Sequence, residues 1–288
     1  MQRLPLPLLR TWLVLGSVTV ALAGCAYAPA TGTPLSPLWT DRLQSLLPAD
    51  VLLLGEQHDA PDHQRLQREA VAWLSARGQL AAVVMEMAER GHSTRGLPRD
   101  ASEAQAQAAL QWDNAAWPWQ AYGPVVMAAV GAGVPVLGGN LPRARMRAAM
   151  AETAWDRHLP APALAQQYQA LRDGHCGLLP ESQIAPMARI QIARDASMAR
   201  TAQEALRSGQ TVLLVAGGGH VLRHLGVPTH WPANLVSKVV IAQVEHAPAA
   251  IKSGAQADAV VQTPALPPRD VCAELREQWR PAPPGQKV

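Results

Sequence analysis

Two short apolar runs, each followed by a glycine and then a histidine, place the strongest constraint on the fold of this chain. Residues 51–54 lead into Gly-Glu-Gln-His at positions 55–58, and residues 212–216 lead into Gly-Gly-Gly-His at positions 217–220. Short apolar runs bounded by glycine are typical of buried strands in a parallel sheet. Because ligands of open α/β sheets bind beyond the carboxyl ends of the strands, we expect the two corners to meet in one site.

Apolar runs and helical periodicity alternate along most of the chain. Between the predicted strands the apolar residues recur at helical spacing, which favours an α/β fold with a mainly parallel central sheet flanked by helices. The long stretch 143–208 contains no predicted strand, and we expect it to form a helical subdomain over the carboxyl ends of the strands. The predicted strands are 51–54, 81–85, 134–137, 212–216, 236–244 and 259–262.

The composition supports a globular domain with a sizeable core. Of the 288 residues, 48% are hydrophobic and 16% are charged, so the chain can bury enough apolar surface to fold as one large domain or at most two. We place one α/β domain at residues 39–280 and a loose tail at residues 281–288. The net charge of +3 gives no electrostatic case for nucleic-acid binding.

The N-terminus has the pattern of a secretory signal. Arg3 and Arg10 precede an apolar stretch at residues 12–23, which is shorter than the roughly 20 residues of a membrane span. Residues 1–24 are therefore predicted to be a signal peptide. The final Leu-Ala-Gly-Cys resembles a bacterial lipobox, which implies cleavage before Cys25 and acylation of that residue; an ordinary signal peptide with an incidental cysteine is the alternative.

A lipid on Cys25 would attach the protein to a membrane surface without spanning it. Residues 25–38 are rich in proline, threonine, serine and alanine, and are predicted to be a flexible tether. Ala26 stands where an aspartate would retain such a lipoprotein at the inner membrane. The predicted location is therefore the bacterial cell envelope, with the lipid in the outer membrane and the domain facing the periplasm.

Two further cysteines agree with export. Cys176 and Cys272 would both be exposed to an oxidising periplasm, where two thiols can form a disulfide that attaches the C-terminal segment to the body of the domain. Two unpaired thiols are the alternative.

Imidazoles and carboxylates gather at the predicted strand ends. Glu56, His58 and His220 are candidate ligands of zinc, iron or manganese, and Glu86 follows the strand at 81–85 and would face the same crevice. In the alternative interpretation, Glu56 and His58 form a capping or surface pair, and Glu86 pairs with a nearby arginine.

Other residue types suit a planar, anionic ligand. Tyr122 belongs to an aromatic cluster that could stack on a flat ring or simply be core, and a tyrosine oxygen can ligate haem iron. Arg194 could pair with a haem propionate or with its neighbour Asp195. His220 is a further candidate for haem contact, and His175 either reaches the site or lies beside a disulfide. The other members of the aromatic cluster are Trp112, Trp117 and Trp119.

The order of these motifs resembles the ChaN family of haem-binding lipoproteins, within the wider haem-binding uptake and Tiki superfamily. The resemblance runs from about residue 40 to about residue 275. It implies a lipoprotein of haem or iron uptake or storage, with haem bound face to face at a homodimer contact. The motifs, in order, lie at residues 55–59, 86–87, 119–122, 140–143, 175–177, 191–199, 217–221 and 226–228.

Three functions remain open at this stage. The first is haem binding. The second is metal-dependent hydrolysis, as in Tiki proteases, with a divalent metal held by Glu56, His58 and His220 and with Glu56 or Glu86 as the general base on a metal-bound water. The third is a non-catalytic scaffold lipoprotein whose histidines only complete the strand ends.

Overall fold

A computed structural model of the protein describes residues 37–245 and 256–279. The predicted signal peptide, the lipobox cysteine Cys25, most of the tether and the tail at 281–288 lie outside the described residues. Within the two described ranges, no helix has both the length and the hydropathy needed to cross a membrane.

The core of the molecule is one sheet of six strands, all parallel. This confirms the predicted α/β class. Along the sheet the strands follow the order β3-β2-β4-β1-β5-β6. The strands are β1 (Val51–Glu56), β2 (Leu80–Glu89), β3 (Val136–Asn140), β4 (Thr211–Gly217), β5 (Ser237–Val244) and β6 (Ala259–Thr263).

The strand order brings distant parts of the sequence together. β4 lies between β1 and β2, and Glu56 at the end of β1 is in register with Gly217 at the end of β4. Because all three strands are parallel, their carboxyl ends meet at one edge of the sheet. The two glycine–histidine corners are therefore neighbours, as their sequence pattern predicts.

Helices cover both faces of the sheet. On one face, α2 and α4 pack with β1 and β2 in the larger core cluster, which includes Leu66, Leu74 and Val126. The helices are α1 (Pro37–Leu46), α2 (Pro61–Ala76), α3 (Glu103–Leu110), α4 (Trp119–Gly131), α5 (Arg143–Ala151), α6 (Ala161–Gly174), α7 (Glu181–Glu204) and α8 (Val271–Gln278). Short 3₁₀ helices span Thr153–Arg157, Gly218–Val221 and Val227–His230.

The strand-free stretch between β3 and β4 folds into α5, α6 and the long α7. The second half of α7 lies on the face of the sheet opposite α2, where Met198 and Ala199 pack with Val84. Its first half packs instead with α6, where Ile184 and Leu171 form a small separate cluster. Helix α7 thus connects the outer helices to the sheet and carries its central residues past the strand ends.

Cys176 and Cys272 are bonded to each other, with their Cα atoms 5.6 Å apart. Cys176 follows α6 in a left-handed conformation (φ 55°). The bond joins this turn to the start of α8, and so holds the last described helix against the outer helical layer.

Two histidines stack face to face beside α7. The ring centroids of His158 and His230 are 3.8 Å apart, and the two ring planes are nearly parallel, with an angle of 7° between them. His158 also meets Thr229 through Nε2, at 2.9 Å from the hydroxyl oxygen. Burial, together with repulsion from His158, lowers the pKa of His230 to about 3, so both rings stay neutral at physiological pH.

We expect this stack to make stability fall in mild acid. His230 takes up a proton near its ordinary pKa of about 6.5 when unfolded but not until far lower pH when folded. Its contribution is therefore present above pH 6.5 and is lost as pH falls toward 3. Between pH 7 and pH 5 the loss should be about 2 kcal/mol in the free energy of unfolding, measured by urea titration.

The His230→Phe variant keeps an aromatic ring but cannot take up the proton, so its stability should depend less on pH by that amount. His175→Phe, at a histidine outside the stack, is the matched control and should keep the wild-type slope. An unchanged slope in His230→Phe would show that the acid dependence arises elsewhere.

Candidate functional site

The corner after β1 places one imidazole in a fixed orientation. Glu56 is buried, with 5% of its surface exposed. It accepts a hydrogen bond from His58 Nδ1, which leaves Nε2 of His58 without a hydrogen bond to any described residue. The donors to Glu56 are His58 Nδ1 at 2.7 Å, the Tyr122 hydroxyl at 2.6 Å, Gln64 Nε2 at 2.8 Å and Gln67 Nε2 at 2.5 Å.

The corner after β4 holds the second imidazole from both sides. His220 lies in the 3₁₀ helix Gly218–Val221. Its Nδ1 is 2.6 Å from Asp195 Oδ1 on α7, and its Nε2 is 3.4 Å from Glu86 Oε1 on β2. Asp195 and Glu86 are both almost fully buried, so His220 is enclosed by carboxylates.

Glu86 lies between the two corners. Its Oε2 accepts a hydrogen bond of 2.8 Å from the backbone N–H of Gly217, and the same oxygen is 3.9 Å from His58 Nε2. Carboxylates and imidazoles therefore alternate across the strand ends. We call this set the carboxylate–imidazole cluster; it consists of Glu56, His58, Glu86, His220 and Asp195.

The buried members of the cluster hold charge at neutral pH. Burial alone would lower the pKa of His220, but the charges of Glu86 and Asp195 outweigh it and raise that pKa to about 10. Burial alone would raise the pKa of Glu86, but charged His220 and the Gly217 N–H outweigh it and hold it well below its ordinary range. Burial raises the pKa of Asp195 to about 6 even though His220 opposes this. The centre of the cluster is thus a buried ion pair of Glu86 and His220.

His58 differs from His220 in its exposure. Its side chain is 40% exposed. Burial opposes protonation of this ring, but the hydrogen bond to Glu56 and the charge of Glu86 together raise the pKa of His58 above its ordinary value. His58 is therefore the member of the cluster that can contact a ligand from outside.

Two glycines permit this close packing. A Cβ atom on Gly217 would lie 2.9 Å from His58 Nε2, and a Cβ on Gly55 would lie 2.4 Å from Val221 Cγ2. Real Cβ atoms do not approach so closely, so both positions need glycine to bring β1 and β4 corners together. Gly55 and Gly217 thus allow the two corners to pack closely.

A cavity of about 650 Å³ opens beside His58, between α2 and the segment leading into α4. The Trp117 ring meets the His58 ring edge-on, with centroids 4.9 Å apart. Two arginines of α2 lie at the same cavity: Arg65 pairs with Asp62 and Glu69, whereas Arg68 forms no ion pair with a described residue. We call this the tryptophan cavity; it is lined by His58, Arg65, Arg68, Trp117, Pro118 and Tyr122, among others. Its volume is in the range of small-molecule sites.

Tyr122, the predicted haem ligand, lies behind His58 at the tryptophan cavity. It is 1% exposed, and its hydroxyl donates to Glu56. Burial and the charge of Glu56 raise the pKa of Tyr122 far above its ordinary value, so the phenolate form that ligates iron is disfavoured. In this structure Tyr122 holds Glu56 in place behind His58, and its role as a haem ligand stays a prediction.

Two other predicted haem contacts, His175 and Arg194, do not line the tryptophan cavity, although the cavity at Arg194 shares Ala116 and Trp117 with it. His175 donates a hydrogen bond from Nδ1 to the Leu171 carbonyl oxygen at 2.8 Å and lies near the Trp279 ring. Among the described residues, it shares no hydrogen bond or ring contact with the cluster. Arg194 lines a smaller cavity of about 260 Å³ with Asn140. Its neighbour Asp195 pairs with His220 and not with Arg194, which corrects the predicted Arg194–Asp195 pair.

The predicted metal ligands are not arranged as a metal site. Glu56 is occupied by its four donors, and Glu86, rather than Glu56, lies between the imidazoles of His58 and His220. Among residues 37–245 and 256–279, no group of three or more His, Cys, Asp or Glu side chains could hold a metal ion. Among the described residues, the divalent-metal alternative is therefore unsupported.

Some residues of the site were not singled out from the sequence. Gln64 and Gln67 lie three positions apart on the buried face of α2 and both donate to Glu56. Buried glutamines among the apolar positions of an amphipathic helix are the signal that could have identified them. His63 on α2 joins the corner after β1 to β6: its Nδ1 accepts from the Gln57 backbone N–H at 2.9 Å, and its Nε2 lies 3.0 Å from the Thr263 hydroxyl.

An all-parallel α/β domain with carboxylates and imidazoles at adjacent strand ends is the class that fold and site define. Within this class, the family described as haem-binding uptake, Tiki superfamily, ChaN matches residues 42–230. Because the match covers well over half of the chain, the protein belongs to this family.

One solved structure has a similar fold. It is ChaN of Campylobacter jejuni, described as showing cofacial haem binding, and it is 24% identical to this chain. The match has a TM-score of 0.57 and covers 72% of this chain and 87% of that one. The curated proteins contain no significant match.

Proposed function

We propose that this protein binds haem in the tryptophan cavity, with His58 as the ligand of the iron. The observation that carries the proposal is the open Nε2 of a half-exposed imidazole at the wall of a cavity of about 650 Å³. Membership of the haem-binding family supports the choice of cofactor. Bound there, haem would supply a redox-active iron and an intense absorption band; the chain's own residues bind and orient it.

The surroundings of His58 suit iron ligation. A ligating histidine commonly donates its other ring N–H to a carboxylate, which fixes the ring and raises its basicity. Glu56 accepts that hydrogen bond from His58 Nδ1 at 2.7 Å, and it is itself held by Tyr122 and two glutamines. The ligand is therefore oriented before haem arrives.

The walls of the cavity match the two parts of a haem molecule. Trp117, Pro118 and Pro124 provide apolar surface for the porphyrin. Arg68, at the same cavity and without a carboxylate partner among the described residues, is suited to a propionate. Arg65 is already paired with two carboxylates, so it contributes less.

We further propose that the protein is a lipid-anchored component of haem or iron uptake or storage, held through Cys25 in the outer membrane and facing the periplasm. The lipobox sequence and the disulfide between Cys176 and Cys272 support export. The exposure of His58 supports a homodimer contact over the haem, because a second copy could cover the open side of the ligand.

Titrating the purified domain with hemin tests the proposal. We expect a shifted Soret band that saturates at one hemin per chain, and sedimentation velocity should show a dimer that forms or strengthens when hemin is added. Hemin that stays in its free spectrum, or binds without saturation, would exclude haem binding. Saturable binding to a strict monomer would retain haem binding and exclude the dimer contact.

A further inference from the structure

A second large cavity, of about 670 Å³, lies across the sheet from the tryptophan cavity. It is enclosed by the segment after β2, by α5, by the 3₁₀ helix Thr153–Arg157 and by α7. No lining residue is common to the two cavities. We call it the arginine cavity, and a ligand there would not compete for His58.

Four arginines line this cavity. Arg90 is paired with Glu204, 2.6 Å from its carboxylate. The other three form no ion pair with a residue in the described part of the chain. They are Arg95, Arg145 and Arg200. Glu152 also lines the cavity and offsets only one of these three charges. The net charge at the wall is therefore positive, which favours an anion.

Two buried donors at the wall also lack partners. Trp155 Nε1 and Ser197 Oγ are shielded from solvent and have no hydrogen-bond partner among the described residues. Such groups are rare because burying a polar atom without a partner is costly. Because both atoms are shielded from solvent, a ligand in the arginine cavity would reach them only after a shift of the cavity wall.

The cavity also has an apolar side. Leu137, Leu141, Pro142 and the Trp155 ring lie along the same walls as the arginines. A ligand that fills this volume therefore has an organic body as well as an anionic group. Inorganic phosphate alone would leave the apolar side uncovered.

We propose that the arginine cavity binds a small organic phosphate, a monoester with an apolar body. A phosphate monoester carries close to two negative charges and three strong acceptor oxygens. Planar guanidinium groups bind such oxygens in pairs. Three arginines without a carboxylate partner match that demand better than they match a carboxylate with one charge and two oxygens.

Isothermal titration calorimetry with phenyl phosphate, at low ionic strength, tests this inference on the purified protein. We expect one saturable site, with at least tenfold weaker binding of both inorganic phosphate and benzoate. Arg145→Gln and Arg200→Gln should each weaken phenyl phosphate at least tenfold. Arg147→Gln, a matched exposed arginine on α5 that does not line the cavity, should bind like wild type.

Three outcomes would overturn the inference: no saturable heat with phenyl phosphate, equal binding of benzoate, or equal effects of Arg147→Gln and Arg145→Gln. Thermal unfolding of each variant shows that it is folded. Hemin titration of Arg145→Gln should match wild type, so failure of the phosphate site and failure of haem binding would be distinguishable.

Discussion

The His58→Ala variant should lose the histidine-ligated haem spectrum and bind hemin at least about a hundredfold more weakly. Replacing a residue that only hydrogen-bonds to a metal ligand already lowers metal affinity by about 10- to 100-fold, and loss of the ligand itself should cost more. The Nε2 of His58 is the only imidazole nitrogen of the carboxylate–imidazole cluster, within the described residues, that is both half-exposed and without a hydrogen bond. Hemin titration followed by absorption spectroscopy measures both effects. Added imidazole should restore the ligated spectrum by occupying the space of the missing ring.

Two further variants test how His58 is held. Glu56→Gln removes the charge that accepts from His58 Nδ1 at 2.7 Å, and we expect it to weaken hemin binding by about 10- to 100-fold while the ligated spectrum remains. His175→Ala is the control, because His175 contacts the Leu171 carbonyl and lies outside the cluster. It should bind hemin like wild type.

The competing ligand is Tyr122, which the sequence pattern favours. If His58→Ala kept the wild-type spectrum and Tyr122→Phe lost it, the phenol would be the ligand and the bond from its hydroxyl to Glu56 would have to break when haem binds. If Tyr122→Phe instead keeps the ligated spectrum with a modest loss of affinity, its role is to hold Glu56 at 2.6 Å.

Much of the fold follows from local sequence. Short apolar runs bounded by glycine predict β1 and β4 because only a strand buried on both faces tolerates such uniform hydrophobicity. The start of helix α7 is less evident from the sequence, because the helix begins at Glu181 and contains Pro186. A proline removes only one hydrogen bond near the start of a helix, and packing of Ile184 with Leu171 stabilises that first turn.

The site was predictable in its members but not in its contacts. The motifs place Glu56, His58, Glu86 and His220 at strand ends, and a parallel sheet brings such ends together. Glu86, rather than Glu56, lies between the two imidazoles because β4 lies between β1 and β2 in the sheet. This strand order depends on the whole chain. No local pattern carries that information.

Glu86→Gln should lower the free energy of unfolding by about 3 kcal/mol, because charged His220 loses one of its two buried carboxylate partners and keeps Asp195. Glu86 is 2% exposed, and its Oε1 lies 3.4 Å from His220 Nε2. Urea unfolding monitored by circular dichroism measures the change. Glu204→Gln, which removes a carboxylate from the largely exposed pair with Arg90, is the control and should cost at most about 1 kcal/mol.

The pH dependence of this loss identifies the ion pair as its cause. The pKa of Glu86 is held below its ordinary range, so its contribution is present above about pH 4.5 and is lost as pH falls. The pKa of His220 is raised to about 10, so its contribution is complete below pH 6.5 and is lost as pH rises toward 10. The deficit of Glu86→Gln should therefore be largest between about pH 4.5 and 6.5 and should shrink toward pH 10.

A double-mutant cycle separates the pair from general packing effects. If Glu86 and His220 stabilise each other, Glu86→Gln should lower the free energy of unfolding much less when His220→Gln is already present, because the positive charge that Glu86 pairs with is then absent. Equal losses in both backgrounds, or a deficit that does not vary with pH, would mean that Glu86 stabilises the strand ends mainly through the Gly217 N–H at 2.8 Å. In that case the hydrogen bond to Glu56, and not the charge of Glu86, would orient His58.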